Sequence, residues 1–208
     1  KSAPADLAAL LAAPYPNSDK TVGEMIPEKV LVIGENLKVR RFARYCTGVT
    51  VPYIHMAGRI GVLVNMEVEG IEASAVTELG KDLCMQVAAM NPSFCDKADV
   101  DQATLDKEKE IQLALMDNDP KMASKPLQVK EKIVLGKMSK YYEENCLMQM
   151  EFVKEKGVSV EQHVAAVAKE LGGKIAVKSF VRFERGEGIE KKQEDFAAEV
   201  AAQMNMGK

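Results

Sequence analysis

From Asp101 to Asn145 the chain is crowded with charge and carries apolar residues too thinly to line a globular core, and this stretch constrains the fold more than any other. Between Asp101 and Asp117 the charged residues surround Leu105, Ile111 and Leu115, a sparse stripe at helical spacing. Asn118–Pro126 holds two prolines and reads as a connection. From Leu127 to Asn145 the stripe resumes through Ile133, Val134, Met138 and Tyr141. Two long helices with narrow apolar seams, joined by a short turn, form an antiparallel hairpin. Such seams bury little, so the expectation is a hairpin that projects from the body and is available to a partner or a second subunit.

The flanking sequence is patterned for burial. Ala5–Ala13 reads as a short helix stopped by Pro14 and Pro16. Thr21–Ile33 reads as a second helix ended by Gly34, with Pro27 either in its first turns or breaking it. Leu37 to Tyr45 reads as an extended strand with mixed faces, and Gly48 and Pro52 as punctuation. Arg59–Glu69 is the clearest strand: Val62, Val64, Met66 and Val68 share one face, Asn65, Glu67 and Glu69 the other. A helix follows from about Glu72 to Met90, with Val76, Leu79, Leu83, Val87 and Met90 at three- and four-residue steps, closed by Pro92.

Beyond the hairpin, Val158–Leu171 is a helix through Val160, Val164, Val167 and Leu171, ended by two glycines. Ile175–Glu184 alternates, with Ile175, Val177, Val181 and Phe183 read as facing one way. Glu190–Met204 is amphipathic, carrying Phe196, Val200 and Met204 at four-residue spacing. The predicted fold is α+β: a small antiparallel sheet of about three strands packed with helices, plus the projecting hairpin.

Composition narrows the function classes. The 208 residues are 47% hydrophobic and 28% charged, the balance of a globular protein with a real core. A net charge of −3 supplies no global field for nucleic acid, and Arg40, Arg41 and Arg44 read as a solvated strand face, so no direct nucleic-acid partner is expected. No run of about 18 apolar residues is present, so no membrane-spanning helix is expected, nor is there a signal-peptide pattern. Cys46, Cys84, Cys95 and Cys146 are scattered without Cys-x-x-Cys spacing and read as buried, reduced thiols of a cytoplasmic protein.

Nothing resembles a catalytic constellation, a metal site or a cofactor site. His55 and His163 are far apart in sequence, with no nucleophile or carboxylate motif around either. Asp117 and Asp119 begin like a calcium loop, but Pro120 follows and the required Gly and Glu are missing, which leaves a solvated helix terminus. Gly186 and Gly188 lack the spacing of a phosphate loop or a dinucleotide fingerprint and read as a turn. The chain is therefore expected to be neither an enzyme nor a nucleotide binder.

Six segments in order do carry a resemblance. They are Ile33-Gly34-Glu35-Asn36 running on to Arg40-Arg41-Phe42; His55-Met56-Ala57-Gly58-Arg59-Ile60-Gly61-Val62-Leu63-Val64; Glu108-Lys109-Glu110; Phe152-Val153-Lys154; Phe180-Val181-Arg182-Phe183; and Gly186-Glu187-Gly188-Ile189-Glu190-Lys191-Lys192, followed by Asp195-Phe196-Ala197-Ala198-Glu199-Val200-Ala201. Together they resemble the elongation factor Ts family, from about Thr21 to Met204. The resemblance implies a partner, elongation factor Tu, from which the family releases GDP. It implies that Ile33, Gly34, Glu35, Asn36 and His55 face one of Tu's β-barrel domains, and that Phe152, Val153 and the helix bearing Phe196 face its nucleotide domain. Each has a plainer reading beside it: Ile33 and Gly34 as a helix end, His55 as a satisfied surface histidine, Phe196 as a core anchor.

The resemblance also implies an arrangement of parts. Residues 1–35 are the remnant of an amino-terminal half-domain, 36–98 with 147–188 a carboxyl-terminal half-domain with the sheet, 99–146 a coiled-coil-like insertion, and 189–208 a carboxyl-terminal helix module. The family's amino-terminal helical module and its Thr-Asp-Phe-Val motif do not occur in this sequence. The expectation is a body that docks on Tu but exchanges poorly; the alternative is a self-association module, a possible homodimer without exchange activity.

Overall fold

Helix-forming segments at the amino terminus are set by caps rather than by burial. The computed structural model describes residues 3–189, and the helix expected over 190–204, with Phe196, lies outside the described residues. The chain divides after Cys46 into two units. In the first, α1 (Leu7–Ala12) starts where the Asp6 carboxylate accepts from the Ala9 N–H, and α2 (Val22–Ile33) starts at a Thr21–Glu24 capping box. Pro27 sits inside α2 without ending it, and Gly34 closes the helix in the left-handed conformation, φ 78°. The two helices are joined through a Pro14–Thr21 bridge. Ala13 is the one buried residue among the described residues of this unit.

The expected strand at 37–45 does not form; that stretch is irregular. Its two faces mix Leu37, Val39 and Tyr45 with Arg41 on one side, and Phe42 with Lys38, Arg40 and Arg44 on the other, so pairing either face onto a core would bury charge. The first strand of the sheet is instead β1 (Val49–His55), which the sequence reading passed over because of Pro52. With order β1-β2-β3, β1 is an edge strand, the place in a sheet that tolerates a proline.

The second unit is built on this antiparallel sheet. β2 (Ile60–Glu69) is central, flanked by β1 and by β3 (Lys174–Glu184). Val62, Val64 and Met66 are buried on its inner face as the alternation predicts, whereas Asn65, placed on the outer face by that alternation, is also buried and accepts from the Thr50 hydroxyl at 3.0 Å. Asn65 sits at a register break: it pairs with Ser179, while Met66 pairs with Val177. Lys178 is thus an extra residue on β3, and a bulge of one residue exchanges the faces beyond it. Ile175 and Val177 pack on the core, but past the bulge Phe180 does so, and Val181 and Phe183 turn to the opposite face. The single face expected for Ile175, Val177, Val181 and Phe183 is corrected accordingly.

The inner face of the sheet is covered by α3 (Thr77–Met90) and α7 (Val160–Glu170), with Leu147, Met150 and Phe152 filling between them. Val76, Leu79, Leu83 and Val87 are buried as read, but Met90, at the end of the stripe, is exposed. Gly80 lets α3 approach β1: a Cβ there would stand 2.4 Å from Val51 Cγ2. Ser159 and Gln162 form the capping box of α7, and Gly172, φ 74°, follows its end.

The hairpin consists of α4 (Gln102–Asp117), a one-turn α5 (Pro120–Ala123) and α6 (Leu127–Asn145). It has its own small cluster, Met116, Val134 and Met138, backed by Leu105, Leu113, Met122, Ile133 and Tyr141. On α6 the predicted stripe holds. On α4 it does not: Leu105 faces the seam, but Ile111 and Leu115 are exposed. The seam runs from Leu105 to Met116, 11 residues or about three helical turns on. Polar Gln112, between them, accepts from Lys137 Nζ at 2.8 Å across the pair. Near the tip Lys130 is buried and donates to Asp117 Oδ1 at 2.5 Å and to the Ala123 carbonyl at 3.0 Å. The Asp119 carboxylate accepts the Lys121 N–H at 2.9 Å and caps α5.

Three of the four cysteines are buried, and all four are free. Burial pushes the Cys84 and Cys95 thiols up to about 12 and Cys146 to about 11, while Cys46 is exposed. No helix among the described residues is long and apolar enough to cross a membrane.

Candidate functional site

The residues singled out by sequence lie on three segments. The first is the end of α2, in the amino-terminal unit. Leu31 and Val32 are 84% and 83% exposed, and Ile33 is exposed beside them. Glu35 and Asn36 are exposed too, in the irregular chain after Gly34. A unit with so small an interior has no place for these three aliphatic side chains, and the glycine cap breaks the helix directly behind them. The result is an apolar patch next to an acidic and an amide side chain, which water solvates poorly.

The second segment is the turn joining β1 to β2. His55 ends β1, half-buried, with Nδ1 3.0 Å from the Tyr53 hydroxyl and the two rings 5.8 Å apart. The chain then passes through Met56, Ala57 and Gly58 with φ values of 49°, 51° and 90°. Two successive non-glycine residues in the left-handed region cost roughly 1–2 kcal/mol each. Strain of this kind collects where the backbone must aim particular side chains. Ile54 and Met56 are exposed on either side of His55.

The third is the loop from Glu151 to Gly157, which carries the Phe-Val pair. The two neighbours have opposite fates. Phe152 is 3% exposed, its ring stacked on that of His163 with centroids 4.1 Å apart and planes 19° from parallel. Val153 is 48% exposed. The resemblance sets both residues against a partner; in the structure the valine is exposed and the phenylalanine is buried beneath it.

Several polar contacts fix this loop. The Gln86 side chain, 0% exposed on α3, donates from Nε2 to the Glu151 carbonyl at 2.9 Å and accepts the Val153 N–H at 2.8 Å. The Glu151 carboxylate accepts the Gly157 N–H at 2.6 Å, and Lys154 Nζ meets Asp82 Oδ1 at 2.6 Å. Met90 lines a shallow groove with Phe152, Val153 and Lys156, next to the exposed valine. Sequence reasoning missed Gln86 altogether. Its signal was there: one amide inside the run Leu83-Cys84-Met85-Gln86-Val87-Ala88, where the apolar stripe has no use for it.

Chemically, the arrangement offers contact surfaces rather than reacting groups. Among the described residues no group of three or more His, Cys, Asp or Glu side chains could hold a metal ion. The ring of His163 is stacked on Phe152, and His55 pairs with a tyrosine. Gly186 and Gly188, with positive φ, form the turn after β3.

Comparison with known proteins finds relatives over most of the chain. The family described as Elongation factor TS matches residues 1–187. The elongation factor Ts of Clostridium kluyveri is 46% identical over 190 residues, which cover 90% of this chain and 60% of the relative. That of Clostridium botulinum (strain ATCC 19397 / Type A) is 45% identical over 194 residues, 92% of this chain and 62% of the relative. The chain therefore spans about 60% of the length of the curated relatives it matches.

Proposed function

The chain belongs to the elongation factor Ts family, and on that premise we propose that it binds elongation factor Tu and promotes the release of GDP from it. The observation that carries this reading is the exposed Val153, held on a loop whose backbone is already fixed in the free chain. A rigid apolar side chain docks without the ordering cost that a mobile one incurs. His55 with Met56, and Ile33 to Asn36 at the end of α2, supply further contacts, part apolar and part polar. Phe152 acts beneath the surface, as the anchor of the loop, and a place for Phe196 at the interface rests on the family pattern alone.

Exchange is a coupling between two ligands. The factor must hold nucleotide-free Tu more tightly than GDP-bound Tu, and GDP must weaken the factor by the same ratio. A contact that is equal in both states adds affinity but shifts nothing. Contacts on a distant barrel domain are of that uniform kind, and those that distort the nucleotide domain make the difference. The family resemblance assigns that distortion to the Thr-Asp-Phe-Val motif, which the 208 residues do not contain. By themselves they dock on Tu and accelerate GDP release weakly, working in the cytoplasm where Tu is. Stopped-flow release of a fluorescent GDP analogue tests this: binding with slow release is expected, and release as fast as with a full-length relative would overturn it.

A second reading has its own observation. Ile111, Leu115, Leu127, Val129 and Leu135 are all exposed on the hairpin, and β1 is an edge strand carrying exposed Ile54. These are surfaces on which two copies can pair, given the roughly 1,200–2,000 Å² of a stable interface. Sedimentation over a range of concentrations decides it: a monomer throughout counts against self-association.

A further inference from the structure

The interior of the second unit gives no packing reason for an amide at position 86. Leu83, Cys84 and Val87 beside it on α3 are each fully buried among aliphatic groups, and a buried amide is disfavoured unless both its functions are bonded. Gln86 bonds both, and both go to the same short piece of backbone: the carbonyl before Phe152 and the N–H after it. The side chain thus holds Glu151 and Val153 much as a neighbouring strand would, while the Phe152 ring is stacked on His163. Asp82, one turn earlier on α3, holds the next residue through Lys154.

We propose that Gln86 is a positioning residue for docking: it fixes the backbone that presents Val153, and so sets the affinity of the chain for Tu. The proposal rests on the reading of Val153 as a contact. Val153 exposes half of its side chain, yet its backbone is bonded inward to a buried group. Without Gln86 the stretch 151–153 loses both bonds to α3 and samples other conformations, and binding must then reorder it. The loss appears in affinity, and it appears only while Val153 is there to be presented.

The test is a double-mutant cycle read by calorimetric binding to nucleotide-free Tu, with thermal melts to show that each variant is folded. Gln86→Leu is expected to weaken binding about tenfold in the unaltered chain, and less than about twofold in a Val153→Ala background, because the two changes remove one interaction. A general loss of stability in a chain that remains folded would not show this dependence. Unchanged affinity of Gln86→Leu, or an equal loss in both backgrounds, would overturn the proposal. Should Gln86→Leu fail to fold, amide exchange of the unaltered chain decides instead. The Val153 N–H is expected to exchange at least about a hundredfold more slowly than an open amide, and exchange at the open rate overturns the proposal. No binding to Tu by the unaltered chain would overturn the functional reading itself. Binding without coupling between positions 86 and 153 would overturn the positioning role alone.

Discussion

At the scale of single residues, adjacent positions in this chain have unrelated jobs. Phe152 is interior and Val153 is surface, so substitutions one position apart should separate stability from binding. Phe152→Ala is expected to cost about 3–5 kcal/mol in urea unfolding, the usual loss for emptying a buried aromatic site. Val153→Ser should stay within about 0.5 kcal/mol of the unaltered chain, since half of the side chain is already wet, yet bind Tu more weakly. Equal stability losses at the two positions would contradict the assignment. The cysteines make a parallel case. With thiols raised to about 12, 12 and 11 by burial, Cys84, Cys95 and Cys146 should resist alkylation at pH 8 until the chain is unfolded. Cys46 should react at once, and labelling of more than one site in the folded protein would be the contrary result.

Elements are held by particular close approaches. Gly80 sits where α3 meets β1, and Gly80→Ala would push a methyl group into Val51. The expected cost is about 1–3 kcal/mol, although alanine is the better helix former, and a stabilised variant would show that α3 can shift away. The hairpin depends on pH through its cap. The Thr104 N–H donates to Asp101 and holds its carboxyl below the usual range. A depressed carboxyl stabilises the folded state above its unfolded pKa, and that contribution disappears as pH falls through the folded value. Helix content measured by circular dichroism should therefore fall on acidification. Asp101→Asn keeps a cap but does not titrate, so the acid-induced loss should be smaller in that variant; identical acid profiles would remove Asp101 from the account. The elements that sequence reasoning misplaced share a cause. A strand exists only with a partner, and the mixed faces of 37–45 attract none, while Val49–His55 has β2 beside it and an edge position for Pro52. On α4 the seam passes through polar Gln112, so counting apolar residues chose Ile111 and Leu115, off the contact line.

Across the whole molecule, stability is concentrated in the second unit. Its core draws on β1, β2, α3, α7 and the segment around Met150, whereas Ala13 is the one buried residue described in the first unit. Amides of α1 and α2 should accordingly exchange far faster than those of β2 and α3 in the absence of a partner, and comparable protection would contradict it. What the sequence determined by itself was everything governed by local pattern or by ordered motifs. That includes the α+β class, the strand expected over 59–69, the helices expected over about 72–90 and 158–171, the hairpin and the family. Periodicity records which side of an element is apolar, and caps record where it ends, without reference to anything distant. The tertiary structure decided the rest: which segment became the first strand, on which side of the bulge at Lys178 each β3 residue falls, and that Phe152 turns inward while Val153 turns out. Each of those depends on what packs opposite — β2 for the strands, Gln86 and His163 for the loop — and a linear pattern carries no information about what will lie opposite it.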